Sequence, residues 1–304
     1  MPRWLRSRTV ETMVDVKSNR AKADNAYSLA GLIGWVAVVL GLPLAAGLGV
    51  ASMWRPPTAL EVLTGVFVYT VAGLGISLGW HRFFTHKSYQ SSNWFSVILA
   101  VSGSLAFEGS LASWVANHKI HHRYTDLPGD PHSPWNKDGV IRGFFHAHIG
   151  WLSRPGVDEK THAREILSNK HLAAISRWWW TLALLGIILP AALVGVFLDS
   201  DAFLGVLVWS GLVRVVLFHH VTWSVNSVCH MIGSRTYDTN DQSRNVWWLA
   251  IPSFGESWHN NHHHLPRSAR HGSGPKEIDL TAELLRLLEK LGVVRNCVWA
   301  DRQG

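Results

Sequence analysis

The stretch VLTGVFVYTVAGLGISLGW, Val62 to Trp80, carries no Asp, Glu, Lys or Arg and runs straight into HRFFTH, His81 to His86. About 20 apolar residues cross the hydrocarbon core of a bilayer as a helix, so this stretch is predicted to span a membrane and to deliver a pair of histidines at its far end. Working outward, Asp24 and Arg55 bracket 30 uncharged residues that include Ser28–Met53. A third uncharged window runs from Trp178 to Leu198, and a fourth from Ala202 to about Met231 is broken only by Arg214. Soluble helices normally keep a polar stripe, and these windows have none. The expected fold is therefore an all-α integral-membrane protein. Four transmembrane helices, at about 28–53, 60–80, 178–198 and 202–231, pair as two hairpins across short links. A segment 1–27 precedes one membrane domain, 28–304, whose helical cap is built from 81–177 and 232–304. The run Asn93–Phe107 is shorter than a bilayer-spanning helix, and is read as an interfacial or buried helix.

Charge placement orients the spans. The chain has 304 residues and a formal charge of +7, with 28 Lys and Arg. Six of these lie in 1–27, eleven in 81–177 and nine after 231, against Arg55 alone in the links between paired spans. The positive-inside rule then places both termini and the cap in the cytoplasm. The basic face suits anionic lipid headgroups and an acidic redox partner. No basic helix interleaved with aromatics appears, so nucleic acid is not an expected partner. Two cysteines, Cys229 and Cys297, exclude a disulfide scaffold, a cysteine zinc finger and a cysteine-held iron–sulfur cluster.

Nine of the 18 histidines fall into groups: His81 and His86; His118, His121 and His122; His230; and His259, His262 and His263. Residues i, i+3 and i+4 share a helix face, so each triplet can aim at one point. Asn226 and His230 share a face in the same way. His81 and His86, five apart, diverge on an α-helix unless it bends. All groups sit at the cytoplasmic ends of the expected spans. Neutral imidazole suits iron, zinc, copper and nickel, and nine donors exceed the needs of one ion, so two metals are expected. His132, His146, His148, His162, His171, His264 and His271 follow no such pattern and are read as surface or core residues. His219 and His220, inside the fourth span, either line a cavity or bond between helices.

These words of sequence resemble the integral-membrane fatty acyl desaturases. HRFFTHKSYQ, NHKIHHRYTDLPGDPHSP, FFHAHIGWL, TWSVNSVCH and GESWHNNHHHLPRSARHG are similar to the stearoyl-type, delta-9 branch, in its bacterial form. The resemblance implies two iron ions held by His81, His86, His118, His121, His122, His230, His259, His262 and His263, with Asn226 reaching one metal through water. It implies O2 as co-substrate, a saturated long-chain acyl substrate (acyl-CoA or acyl-lipid) and a cis double bond, delta-9 in this branch. Animal members carry an Arg-Asp pair before the second histidine group, where it helps hold coenzyme A. Ala116 and Asn117 stand there, so the acyl carrier stays open, with acyl-CoA slightly preferred. His264 has no counterpart role.

Breaking an unactivated C–H bond is beyond acids, bases and nucleophiles, so a metal–oxygen oxidant is required. Two electrons per turnover must come from outside, from a reductase, ferredoxin or cytochrome b5-type donor, because the chain shows no haem, ferredoxin or flavin signature. Metal-bound histidines usually donate their second N–H to a carboxylate. Glu108, Asp126, Asp130, Asp241 and Glu256 are the candidates. Trp114, one turn before His118, can wall a substrate site. Gly75 and Gly79, with Gly73, Gly205 and Gly211, either open an acyl tunnel or let helices pack closely. A di-iron hydroxylase or terminal-olefin-forming enzyme, and a non-enzymatic metal carrier, are the competing readings.

Overall fold

In the computed structural model, residues 29–299 are described. The N-terminal segment 1–27 expected above lies outside them. Among the described residues, four helices are long and apolar enough to cross a membrane: Gly31–Met53, Ala59–Thr85, Trp179–Phe197 and Ser200–His230. The first two are joined by a short link in which Thr58 caps the second span. Its side chain accepts the Glu61 N–H, and Glu61 reaches back to the Thr58 N–H. Arg55 closes the same carboxylate with a two-pronged ion pair, at 2.5 and 2.9 Å.

The second span runs five residues past the expected end, and its last part, Gly75–Thr85, is wound as a π-helix. It packs against α1 (Asn93–Ser104), the short apolar run, which buries Ser96, Leu99, Ala100, Gly103 and Ser104. The contact is made by small residues. A Cβ added at Gly75 would lie 2.1 Å from the Gly103 nitrogen, and one at Gly79 2.9 Å from the Leu99 Cβ. Gly75 and Gly79 are therefore helix-packing positions and do not open a tunnel; a backbone this close has no room for a substrate. Gly75→Val is expected to cost about 1–3 kcal/mol or more through overpacking, read as a lower thermal midpoint in detergent with the metal content per folded chain unchanged.

Arg214, buried in the fourth span, finds no carboxylate there and binds three carbonyls instead: Ser210 at 3.0 Å, Leu105 at 3.3 Å and Gly186 at 3.3 Å. One turn on, His219 Nε2 meets the carbonyls of Ala106 and Phe107 at 3.2 and 3.0 Å. Together they take the carbonyls of Leu105, Ala106 and Phe107 in the turn that follows α1, while the last carbonyls of α1 accept the N–H groups of that same turn. His219 thus both lines the larger cavity and ties the fourth span to that turn, and His220 bonds His148 at 3.0 Å.

The cap is helical, with one two-stranded antiparallel pairing of Gln90–Ser91 and Val294–Arg295. Its site-bearing helices are α2 (Leu111–Tyr124), capped by Ser110, and α4 (His259–His264). α3 (Val140–His148) packs on the fourth span, and α5 (Leu280–Lys290) on the end of the second.

Candidate metal centre

The π-helical winding resolves the one spacing that did not fit an α-helix. In a π-helix residues i and i+5 are bonded neighbours, and the His86 N–H indeed meets the His81 carbonyl at 3.1 Å. Their rings, five residues apart, stand 4.7 Å from each other. On α2 and α4 ordinary helical spacing does the same for the triplets. The two asparagines between His259 and His262 fix α4 in place. The Asn260 Oδ1 accepts the Thr236 and Tyr237 N–H groups at 2.8 Å, and Asn261 is bonded to Asn245 at 2.7 Å and to the His271 carbonyl at 2.9 Å.

The nine histidines meet as two groups able to hold a metal ion: His81, His86, His118, His122 and His262, and separately His121, His230, His259 and His263. In the first group the Nε2 atoms form a chain, His86–His118–His122–His262–His81, with steps of 3.0, 3.0, 2.9 and 3.1 Å. In the second the chain is His121–His263–His259–His230, with steps of 3.3, 3.0 and 3.0 Å. A neutral ring nitrogen is either donor or acceptor and cannot serve two such neighbours at once. Nitrogens bound about 2.1 Å from one ion, at right angles, would sit about 3 Å apart, so the donor set fits a metal in each group. Burial, and then the neighbouring imidazoles, hold His86, His118, His122, His259, His262 and His263 well below the usual histidine range. They are kept neutral, the state in which imidazole binds metal.

Four of the five expected carboxylates stand behind these rings. Asp130 meets His121 Nδ1 at 3.0 Å, Asp126 meets His230 Nδ1 at 3.0 Å, and Asp241 meets His263 Nδ1 at 3.0 Å. Glu256 contacts His81 Nδ1 and also takes the Ser77 hydroxyl. Burial raises Asp126, Asp130 and Glu256, but the facing imidazoles, together with backbone N–H groups for the two aspartates and the Arg82 guanidinium for Glu256, outweigh it and leave all three below the usual carboxylate range. Glu108 is the exception. It sits on the turn between α1 and α2 and lines the larger cavity, its Oε1 is buried without a hydrogen-bond partner among the described residues, and burial pushes its carboxyl up to about 8. It therefore does not back a histidine, which corrects the expectation for that residue.

Two histidines without any pattern prove to be part of the surroundings. His132 lies 4.4 Å, ring to ring, from His121, and His271 lies 4.4 Å from His262. His271 Nδ1 faces the Arg82 guanidinium at 3.3 Å. Their proximity comes from loop folding, and helical spacing could not have found it. The unmatched His264 is exposed and stacks flat on Tyr237, centroids 4.1 Å apart.

Two cavities reach the centre. One, of about 920 Å³, runs from Lys137, Arg154 and His162 past Glu108 to Trp114, His118, Thr222 and Asn226. The other, of about 60 Å³, lies against His81, His118 and His259 and is lined by Gly73, Ile76, Phe218 and Phe254. Trp114 lines both and stacks on His118 at 5.0 Å, so it walls the space next to the rings. Asn226 also lines both.

Residues 57–272 match the model of the fatty acid desaturase family. The chain is 40% identical over 251 residues to the hex-5-enoyl-[acyl-carrier protein] acetylenase of Moorena producens, covering 79% of this chain and 78% of that protein. It is 37% identical over 276 residues to the sn-1 stearoyl-lipid 9-desaturase of Anabaena variabilis, covering 89% and 96% of the two chains. The delta-9 acyl-lipid desaturase 1 of Arabidopsis thaliana is 40% identical over 230 residues, 75% of this chain and 72% of that one. Histidines on separate elements meet as two groups able to hold a metal ion, beside helices long and apolar enough to cross a membrane, and this chain belongs to the fatty acid desaturase family.

Proposed function

We propose that this desaturase removes two hydrogens from a saturated long-chain acyl group, at the delta-9 position, with two iron ions bound by the nine histidines. Bound iron would supply the O2-derived oxidant that an alkyl C–H bond demands. The two ring-nitrogen groups beside an apolar cavity carry this reading. An acyl-lipid is the favoured carrier, since the named activities of two relatives are on acyl-lipids and the positions of the coenzyme A-binding pair are Ala116 and Asn117. Residues of this chain bind and orient the alkyl group. Trp114 walls it beside His118, and Asn226 faces the same space, placed to hold a water near the metal. Asp126, Asp130, Asp241 and Glu256 hold their histidines in the tautomer that points Nε2 at the ion. Electrons come from a separate ferredoxin, cytochrome b5-type protein or reductase docking on the basic cap, which faces the cytoplasm with both termini.

Phe218 and Phe254 line the smaller cavity. Tyr69 packs behind Phe218 and Phe254, with ring centroids at 5.1 and 5.8 Å, and its hydroxyl bonds the Pro252 carbonyl at 2.8 Å. Tyr69→Ala is expected to lengthen the acyl group accepted. Each further buried methylene is worth about 0.8 kcal/mol, or roughly fourfold in relative preference, read from the product chain-length distribution.

The test of the activity is expression in a host lacking its own desaturase, with an electron donor supplied, followed by fatty-acid analysis with double-bond localisation. New delta-9 monoenes support the proposal. Unchanged lipids despite insertion would overturn it. Products that gain an oxygen instead of losing two hydrogens would assign the hydroxylase reaction.

A further inference from the structure

The two metal positions do not have the same surroundings. In the four-histidine group three rings are backed by carboxylates: His121 by Asp130, His230 by Asp126 and His263 by Asp241, each at 3.0 Å. In the five-histidine group, among the described residues, His81 alone has a carboxylate behind it, Glu256. That carboxylate is also opposed. The Arg82 guanidinium, wholly buried, lies 3.2 Å from Glu256 and 3.0 Å from Asp279. The further bonds to the three aspartates come from neutral donors. Asp126 takes the Ser133 hydroxyl at 2.7 Å and the Gln242 N–H at 2.8 Å; Asp130 takes the N–H groups of Asp126 and His132 at 2.9 and 3.1 Å; Asp241 takes the Thr239 hydroxyl at 2.8 Å.

A carboxylate on Nδ1 raises the basicity of the ligating ring and sets a negative charge near the metal. Both effects favour the higher-charged ion, and they act strongly where water is excluded. Three such pairs lie on one side. On the other there is a single pair, and its carboxylate shares the Arg82 cation with Asp279.

We propose that the two positions differ in redox character. The four-histidine position, backed by Asp126, Asp130 and Asp241, keeps the trivalent ion. The five-histidine position, backed by Glu256 against Arg82, takes the first electron and becomes divalent. This rests on the di-iron reading given above. In the first step one electron converts one trivalent iron to divalent iron and no bond to the protein breaks.

The test uses the full-length, iron-loaded protein in detergent, with metal analysis first establishing two irons per chain. The oxidised protein is titrated with dithionite, which is oxidised to sulfite, in the presence of a mediator, and Mössbauer spectra give the populations. Equivalent, independent irons reach at most half of the pairs in the mixed-valence state. The wild type is expected to exceed half. Asp126→Asn, Asp130→Asn and Asp241→Asn raise the potential of the lower-potential iron, so the mixed-valence maximum falls. Glu256→Gln raises the potential of the higher-potential iron, so the maximum rises. Opposite responses to the two kinds of substitution establish the inference. Responses in the same direction, or a single two-electron step in the wild type, overturn it. Three aspartates are tested so that loss of iron from one variant leaves two to decide. A wild type that holds one iron or none overturns the di-iron reading itself, and this inference with it.

Discussion

His262→Ala is expected to take one of the two metals from the chain and to lower desaturation by at least about 1000-fold. Loss of an outer partner of a metal ligand already costs about 10–100-fold, and His262 stands inside that shell. Its Nε2 lies between those of His122, at 2.9 Å, and His81, at 3.1 Å, in the middle of the five-ring group. The side chain is buried, and alanine leaves a polar hollow that water can enter but that lacks a fixed nitrogen. Metal analysis of purified protein should fall from two ions per chain toward one, with unchanged insertion into membranes. His121→Ala should do the same to the other group, where its Nε2 is 3.3 Å from that of His263. The control lies close by. His264→Ala removes an exposed ring that belongs to neither group, and should leave metal content and turnover within about twofold, as surface substitutions usually do. Full activity in both His262→Ala and His121→Ala would overturn the ligand assignment.

The membrane architecture was legible because it needs only one local property, the absence of charge over a span's length. The triplets were legible for a related reason: positions i, i+3 and i+4 of one helix meet whatever the rest of the chain does. The nearby carboxylates could be named from their closeness to the boxes, and Asp126, Asp130, Asp241 and Glu256 do back histidines. Glu108 had the same claim in sequence, but the bonds from His219 and Arg214 fix its turn elsewhere, and no local pattern encodes that. Gly75 and Gly79 show the same limit. A small residue in a span permits a tunnel or a close helix contact, and only the position of Gly103 and Leu99 on another element decides between them. The His81–His86 spacing looked like a misfit because α-helical periodicity was assumed. The π winding that reconciles it depends on packing along Gly75–Thr85. His271 and His132 were passed over because loops bring them in, across distances in sequence that carry no period.

Arg82→Leu is expected to cost about 3–5 kcal/mol of stability, the usual result of removing one partner from a buried ion pair. The guanidinium lies between two elements, bonding Asp279 at 3.0 Å, Glu256 at 3.2 Å and the Ala269 carbonyl at 2.7 Å. Without it, Asp279 keeps the backbone N–H groups of His271 and Ala282, at 2.7 and 2.9 Å, but its charge is left without a cation in a site closed to water. The thermal midpoint in detergent should drop by on the order of 10 °C. If the loss comes from the stranded charge, Arg82→Leu combined with Asp279→Asn should recover part of it, because the second change removes the uncompensated anion and keeps the shape. If it comes from lost packing alone, the double variant should be no better than the single one. Because Glu256 touches both Arg82 and His81, the same substitution is expected to loosen the ring that stands at one end of the five-histidine chain. Metal retention against a chelator should then fall in Arg82→Leu at temperatures well below its midpoint. A variant that melts early yet keeps its metal as firmly as the wild type would show that Arg82 serves the fold and not the site.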